Sequence, residues 1–304
     1  MKVLLCGASG FIGSNIAAVL HASGHQIRAV SRRSGLDFRQ MLSPSDWQPH
    51  LQDIDAVINA VGIIGQGRSQ RFATLHTLAP IALFQACQQA GVKRVLQISA
   101  LGADDSAASA YHLSKRRADD FLRKLDLNWF VLRPSLVYGK GGKSTQLFMH
   151  MAALPRIPVI GDGQQVLQPI HIEDLAVTVL QALTASQSQQ TLDTIGTETF
   201  SFAQWLQRMR HAQGLAPAQL LHCPLPLAMG LARLARHLNP MFTADNLRML
   251  QRGYRGDSQA LTHFLGRPPL PNKAQLFFAD CKSRSQSKGK CRDKTDRKPP
   301  GGSS

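Results

Sequence analysis

The chain has 304 residues, of which 43% are hydrophobic, and it carries a formal net charge of +16 at pH 7. This length is sufficient for one large α/β core and a smaller lobe. No apolar stretch is as long as a membrane span, which argues against a transmembrane protein. The five cysteines include no close pair, which argues against a disulfide framework and a zinc site. The apolar run begins at residue 3 without a leader before it, which argues against a secreted protein. We therefore expect a cytoplasmic protein without a metal site.

The predicted secondary structure alternates between short apolar runs and longer segments of helical period. This alternation predicts βαβ units, and right-handed crossovers then produce an α/β fold with a doubly wound parallel sheet. The predicted strands are residues 3–6, 26–31, 56–60, 94–99, 129–133 and 191–195. The predicted helices are residues 11–23, 72–90, 111–125, 172–183, 202–213 and 224–238.

Prolines and glycines become frequent after Pro134, which predicts a smaller C-terminal substrate lobe over the crevice at the carboxyl ends of the strands. We assign residues 1–272 to one domain, with lobe segments mainly after residue 134. Residues 273–304 are predicted to form a basic, disordered tail, because residues 282–304 are rich in Lys, Arg, Ser, Gly and Pro. No aromatic residue lies among the charges after residue 281, so we expect a solvated extension, with neither a nucleic-acid nor a membrane partner.

Three glycines, Gly7, Gly10 and Gly13, follow the first predicted strand and open the first predicted helix. A strand-turn-helix unit that holds a dinucleotide pyrophosphate needs the first glycine for the tight turn, the second for close approach to the phosphates and the third for packing of the helix on the strand. The intervening residues predicted to contact the cofactor are Ser9, Phe11 and Ile12. The alternative, a turn without a cofactor, explains the position between a strand and a helix less well.

The end of the second predicted strand favours NADP(H), although NAD(H) is also compatible with the glycine turn. An acidic residue there would accept hydrogen bonds from the ribose of NAD, whereas this chain has Arg32 and Arg33, and a guanidinium matches a 2′-phosphate. Alternatively, both arginines are simply solvated. Asp37 is a candidate contact of the adenine, and a structural role in the loop is equally consistent with the sequence.

Tyr111 and Lys115 lie four residues apart on one predicted helix and therefore share a face. An ammonium beside a phenol lowers the pKa of the phenol, which would let Tyr111 transfer a proton near neutral pH. Ser99 ends the preceding predicted strand, where its hydroxyl can hydrogen-bond a substrate carbonyl or alcohol. A Tyr/Lys pair alone is usually an ordinary surface pair, but together with the glycine turn and Ser99 it predicts a catalytic site.

These motifs resemble those of the short-chain dehydrogenase/reductase superfamily over about residues 1–270. The resemblance rests on residues 7–13, 59–62, 99, 111–115 and 133–139. The chain is similar to the extended and atypical branch of NAD-dependent epimerase/dehydratase-like proteins. Through residues 99–104 and 168–174 it resembles the subgroup of the NADPH-binding accessory subunit of complex I. The resemblance implies a Rossmann fold that binds NAD(P).

The resemblance also implies a role for each site residue. Tyr111 would be the proton donor or acceptor, Ser99 would orient the substrate, and Lys115 would hold the nicotinamide ribose and tune Tyr111. The cofactor-binding residues that it implies are Gly7, Gly10, Gly13, Ala60, Val61, Lys115, Pro134 and Ser135. Hydride transfer itself would belong to the cofactor.

The leading hypothesis is therefore an NADP(H)-dependent oxidoreductase that acts on a small carbonyl or alcohol, or on a quinone-like or lipid-like substrate. The segment before His171 lacks the arginine that nucleotide-sugar members carry there, which argues against a sugar-nucleotide substrate. The alternative hypothesis is a non-catalytic protein that binds NADPH as a structural or redox-sensing part of a larger, respiratory-complex-like assembly.

The resemblance has two further implications for assembly. Family members often pair through the helix that carries the Tyr/Lys motif, which implies a homodimer. Related bacterial proteins continue into a hydrophobic membrane domain, whereas this chain changes to a basic tail after Pro271. A truncation or a frameshift would explain that change and would remove a membrane attachment.

Overall fold

A parallel sheet of six strands lies at the centre of the computed structural model, which describes residues 1–67, 70–235 and 243–281. The strands of the protein are β1 (Lys2–Cys6), β2 (Gln26–Val30), β3 (Ala56–Asn59), β4 (Arg94–Ile98), β5 (Asn128–Pro134), β6 (Val137–Tyr138), β7 (Arg156–Ile160), β8 (Val166–Leu167), β9 (Ile170–His171), β10 (Gln190–Thr194), β11 (Phe200–Ser201) and β12 (Gln219–Cys223). The order in the central sheet is β10-β5-β4-β3-β1-β2. The predicted doubly wound parallel sheet is therefore confirmed.

Helices cover both faces of this sheet. The α-helices are α1 (Phe11–Ala22), α2 (Pro44–Trp47), α3 (Ala79–Gln89), α4 (Ala110–Leu122), α5 (Lys143–Ala153), α6 (Ile172–Thr184), α7 (Phe202–Ala212), α8 (Leu225–Ala235), α9 (Ala244–Arg252) and α10 (Gln259–Leu265). A π-helical segment, Ala73–Leu78, leads into α3. Within the part of the chain that the structure describes, no helix is both long and apolar enough to span a bilayer.

The alternation of side chains along β1 shows why the sheet is covered on both sides. Val3 and Leu5 lie in the core that includes α1 and α6, whereas Leu4 and Cys6 lie in the core that includes α3 and α4. All four side chains are fully buried, as expected for a strand of a parallel sheet between two helical layers. From β1 the chain adds β2 on one side of the sheet and β3, β4, β5 and β10 on the other. The crevice at the carboxyl ends of β1 and β3 is therefore the topological switch point.

The predicted elements of the sheet match the structure to within three residues at most ends, and the lobe differs more. The predicted helix 224–238 corresponds to α8, and residues 236–238 lie outside the described residues. The sequence analysis missed the regular elements α5, β7, β12, α9 and α10. Prolines and glycines in these segments lie between the elements and also at the centre of β7, where Pro158 sits in a strand whose one partner among the described residues is β12.

Two small aromatic cores hold the lobe together. One contains Tyr138, Trp205 and Phe277, and the other contains Ile157, Phe202 and Leu206. The lobe is built from α5, α7 and the strand pair β7–β12, whereas α6 and β10 return to the central layer. The elements of the lobe come after β5 in the chain, and β5 ends at the carboxyl edge of the sheet. The lobe therefore begins at this edge.

The predicted start of the disordered tail at residue 273 is wrong. Residues Ala274–Phe278 form a 3₁₀ helix, and Leu276 and Phe277 are buried in the lobe core. The backbone N–H of Cys281 then donates to Asn15 Oδ1 at 2.9 Å, which ties this segment to α1. Two consecutive apolar side chains that find a core explain the order, despite the basic composition that follows. The rest of the predicted tail, residues 282–304, lies outside the described residues.

Candidate active site

The glycine turn lies at the carboxyl end of β1, beside the end of β3. Gly7 has a φ of +81°, and a Cβ there would lie 2.9 Å from the carbonyl carbon and oxygen of Ala60. A Cβ at Gly13 would lie 2.2 Å from the Gly7 oxygen. Since both contacts are with backbone, the turn and the packing of α1 on it depend on glycine at these two positions.

The first turn of α1 has room for an anion. Gly10 is the N-cap residue, and α1 has neither a side-chain cap nor an acidic residue in its first turn. Free N–H groups at a helix N-terminus and the helix dipole favour a negatively charged ligand. The exposed Ser9 and the partly buried Phe11 and Ile12 lie at the same turn. The residues present therefore fit the pyrophosphate of a dinucleotide.

The loop after β2 contains the residues predicted to select the cofactor. Arg32 begins the 3₁₀ helix Arg32–Ser34 and is exposed, and the side chain of Arg33 lies outside the described part of the chain. Asp37 forms an ion pair with Arg39, whose Nε also donates to both carboxylate oxygens at 2.9 Å. These hydrogen bonds lower the pKa of Asp37. Asp37 thus has a structural partner inside its own loop.

The loop after β3 lies directly over the Lys115 amine. Lys115 is 3% exposed, and its Nζ donates to Ile98 O at 2.8 Å and to Val61 O at 3.2 Å. An ammonium has three donors, so one N–H remains for a ligand. A Cβ at the exposed Gly62 would lie 3.3 Å from Nζ, so this glycine keeps the amine accessible from the loop side. Burial lowers the pKa of Lys115 to about 8.

Tyr111 lies in a row of rings near the start of α4. Its ring contacts those of Phe72, His76 and His112, with centroid distances of 5.7, 5.4 and 5.2 Å. His112 in turn contacts Tyr254, at 5.0 Å between centroids. The phenol is therefore surrounded by rings that carry no charge near neutral pH, which suits an uncharged substrate better than a charged one.

The pKa of Tyr111 is raised to about 12, first by burial and then by the Asp119 carboxylate. The prediction that Lys115 lowers this pKa is wrong, because the amine is directed at the carbonyls of Val61 and Ile98 instead. A phenol with a raised pKa stays protonated near neutral pH. Tyr111 therefore holds a proton, as a donor must, but the raised pKa makes that proton harder to release.

Ser99 follows β4, but its hydroxyl is directed away from a substrate. The side chain is 3% exposed, and Ser99 Oγ donates to Asp119 Oδ2. A serine has one hydroxyl proton, and this hydrogen bond uses it. Ser99 therefore cannot donate to a substrate carbonyl while this bond persists.

Asp119 is a buried carboxylate that the sequence analysis did not single out. Burial raises its pKa to about 7, while the hydrogen bond from Ser99 and the charge of Lys115 oppose that shift. Behind it, Asn59 Nδ2 donates to Gln97 Oε1 at 2.7 Å. Asp119 could have been found from sequence, because it lies four residues after Lys115 and so on the same helix face.

His76 is a second buried residue that was not predicted. Its Nε2 accepts from Ile63 N–H at 3.0 Å, which makes Nδ1 the protonated nitrogen, and Nδ1 donates to Ser114 Oγ at 3.0 Å. Burial and the Lys115 charge hold the pKa of His76 well below its usual value. The neutral ring thus joins the loop after β3 to α4, and no local sequence pattern indicates it.

Pro134 and Ser135 lie where β5 ends. Leu101 N–H donates to Pro134 O at 2.9 Å, and Ser135 Oγ donates to the Gln168 carbonyl. The hydroxyl of Ser135 is therefore occupied by the protein. The two residues, predicted to border the nicotinamide, join the loop after β4 to the lobe.

A segment after α9 covers the loop after β4. Gly102 has a φ of +88°, and a Cβ there would lie 2.3 Å from Tyr254 Cε1. The Tyr254 hydroxyl lies 3.3 Å from His112 Nδ1, next to Tyr111. Tyr254 is separated from Tyr111 by more than a hundred residues, so sequence patterns cannot show that the lobe contributes this residue.

Comparisons with known proteins agree with this geometry. The chain is 26% identical over 237 residues to ceramide reductase of Caulobacter vibrioides, which is 74% of each chain. It is 24% identical over 243 residues to subunit 9 of the mouse mitochondrial NADH dehydrogenase [ubiquinone] 1 alpha subcomplex, covering 73% of this chain and 63% of that subunit, which is less than two thirds of its length.

Among solved structures, dTDP-glucose 4,6-dehydratase of Bacillus anthracis in complex with NAD superposes with a TM-score of 0.68 at 15% identity, covering 97% of this chain and 98% of that chain. This similarity shows the fold. A model of the NAD dependent epimerase/dehydratase family matches residues 3–195. The predicted resemblance is therefore confirmed. The activity class of the chain is NAD(P)-binding, oxidoreductase-type chemistry. The chain belongs to the NAD dependent epimerase/dehydratase family.

Proposed function

We propose that the protein binds NADP(H) in the crevice between the carboxyl ends of β1 and β3 and reduces a carbonyl of an apolar, small, quinone-like or lipid-like substrate, or oxidises the corresponding alcohol. The observation that carries the proposal is the meeting of four groups at this edge of the sheet: the glycine turn, the uncapped start of α1, the Lys115 amine and the Tyr111 phenol. Ligands of open α/β sheets bind at such switch points.

Each group of the chain has a distinct task in this reaction. The turn and the first turn of α1 bind the phosphates, and the free N–H of Lys115 donates to a ribose hydroxyl. Hydride transfer is the chemistry that the nicotinamide supplies when it is bound. In the reducing direction, Tyr111 gives its hydroxyl proton to the substrate oxygen as that oxygen gains charge, and solvent then restores the proton.

Three arguments support the choice of an apolar substrate. The rings of Phe72, His76 and His112 contact the proposed proton donor, Tyr111, and the lowered pKa values of both histidines leave these rings uncharged near neutral pH. In addition, the ceramide reductase is, by its name, a protein that reduces a lipid. The absence of an arginine from residues 165–169 is a third argument, against sugar nucleotides.

Replacing Tyr111 by Phe tests the catalytic role. We expect kcat with aldehydes, ketones, quinones or keto-lipids to fall about 10²- to 10⁴-fold, because the proton donor is lost, while the Kd for NADPH stays unchanged. Tyr138→Phe is the matched control, because Tyr138 lies in the lobe core against Trp205. Turnover of Tyr111→Phe equal to that of Tyr138→Phe would show that Tyr111 is not the donor.

The preference for NADP(H) is tested by titration with both cofactors. We expect wild type to bind NADPH more tightly than NADH, and the Arg32→Ala, Arg33→Ala double variant to lose about tenfold or more in NADPH affinity while NADH affinity changes little, because only the 2′-phosphate pairs with a guanidinium. Lys140→Ala, which removes an exposed cation from the lobe, is the control for net charge. Equal affinities of wild type for both cofactors would refute the preference.

A second candidate function is supported by the state of Ser99 and Tyr111. The Ser99 proton is directed to Asp119, and the pKa of Tyr111 is raised rather than lowered. Both features suit a protein that keeps NADPH as a structural or redox-sensing element of a larger assembly. Cofactor that co-purifies with the protein and that no substrate panel oxidises would favour this function over catalysis.

A further inference from the structure

Two ionisable side chains are buried together under the proposed cofactor site. Lys115 and Asp119 lie one turn apart on α4 and are 3% and 0% exposed. Their pKa values are displaced towards each other by burial, to about 8 for Lys115 and about 7 for Asp119. Each charge also favours the charged form of the other.

The hydrogen bonds give the two groups different tasks. The Lys115 amine donates to two backbone carbonyls, which orient it but contribute no countercharge. Asp119 Oδ2 accepts from Ser99, and the Gln97 side chain is a further hydrogen-bond partner of this carboxyl. A buried ammonium with only neutral ligands tends to lose its proton, because burial disfavours the charged form. Asp119 is therefore the group that can keep the amine charged.

The other titratable groups around the pair do not replace it. His76 is neutral because burial lowers its pKa, and a Cβ at Gly62 would lie 3.8 Å from its Nε2. Tyr111 is protonated, and its pKa is raised first by burial and then by Asp119. Arg123 acts on Asp119 but pairs with Asp120 at 2.8 Å. Asp119 is thus the buried anion of this part of the site.

We propose that Asp119 is a positioning residue of the cofactor site. Its carboxylate accepts a hydrogen bond from Ser99 and supplies the countercharge that keeps the buried Lys115 amine protonated and able to donate to the ribose. This inference rests on the proposed function, because it assigns the ligand of the amine. It also gives Ser99 a role different from the predicted one: Ser99 holds the carboxylate in its charged form instead of orienting the substrate.

The test is the pH dependence of NADPH binding, measured by fluorescence titration from pH 6 to pH 9.5 at constant ionic strength. The wild-type affinity falls as the pH rises through the pKa of Lys115. In Asp119→Asn this fall moves to lower pH, since the amine has lost its countercharge. We expect the variant to match wild type near pH 6 and, near pH 9.5, well above the wild-type pKa, to bind about tenfold more weakly for each unit by which the pKa of Lys115 drops.

Asp120→Asn is the matched control, because it removes a neighbouring carboxylate of the same helix whose side chain is 45% exposed. It should follow the wild-type profile. The proposal is overturned if Asp119→Asn keeps the wild-type profile, or if it weakens binding equally at every pH, which is what a purely structural role predicts. Taking each affinity relative to wild type at the same pH removes the titration of the cofactor itself.

Ser99→Ala keeps the proposal testable if Asp119→Asn does not fold. Without the Ser99 hydrogen bond the pKa of Asp119 rises, so the loss of affinity should again begin at lower pH than in wild type, and an unchanged profile contradicts the proposal. If wild type binds neither NADPH nor NADH at any pH, the proposed function fails separately. A double-mutant cycle of Asp119→Asn and Lys115→Met on urea unfolding at pH 7.5 then decides, because zero coupling overturns the charge pairing.

Discussion

Single residues determine whether the glycine turn can exist at all. At Gly13 even one methyl group would overlap the carbonyl of Gly7, and neither partner is the flexible end of a side chain. The turn therefore contains no flexible side chain that could move to make room for a Cβ. The sequence analysis could predict this site well, because the constraint lies within thirteen consecutive residues and depends only on the absence of side chains.

Gly13→Ala should therefore damage stability and binding together. We expect the free energy of unfolding, measured in urea, to fall by about 1–3 kcal/mol, as for other overpacked sites, and the NADPH affinity to fall at least about tenfold. Gly230→Ala is the control, because a Cβ at Gly230 of α8 meets no atom within 4 Å and alanine favours helix. A Gly13→Ala protein with wild-type stability and binding would show that α1 can shift freely.

Ser99 shows the limit of prediction at this scale. Its position at the end of β4 was predicted, but the direction of its hydroxyl depends on Asp119, which lies on another element. The same limit applies to Tyr111, whose pKa is determined by burial between elements rather than by its spacing from Lys115. Spacing along a helix predicts which side chains share a face, and burial then determines their charge.

Among the elements, the short 3₁₀ helix Ala274–Phe278 has an effect larger than its length. Phe277 lies between Trp205 and Tyr138, with ring centroids at 5.2 and 5.3 Å, and is 2% exposed. The segment thereby packs directly against Trp205 of α7. The basic composition of the following residues concealed this element, because composition averages over buried and exposed positions.

Phe277→Ala should cost about 3–5 kcal/mol of unfolding free energy, because it removes a buried ring from an aromatic core. The neighbouring Phe278 is 51% exposed, so Phe278→Ala should change stability by less than about 0.5 kcal/mol. Urea unfolding of both variants is the measurement. Equal effects of the two substitutions would mean that the segment does not pack as described.

At the scale of the whole molecule, the sheet was predictable and the lobe was not. The strands β1, β3 and β5 at the middle of the sheet are mostly apolar runs between helical segments, so period and length identify them. The lobe elements α5, β7 and β12 are short, half-buried and stabilised by contacts with one another. Their order in space follows from tertiary packing, which a linear pattern does not contain.

The hydrogen bond between Asn15 and Cys281 has a consequence for folding during translation. The two residues are 266 positions apart, and Asn15 also holds the Phe11 carbonyl in the first turn of α1. α1 is thus synthesised well before residue 281, which donates to its Asn15 side chain. A nascent chain can form β1 and α1 early, but the hydrogen bond from Cys281 to Asn15 of α1 forms only after residue 281 has been synthesised.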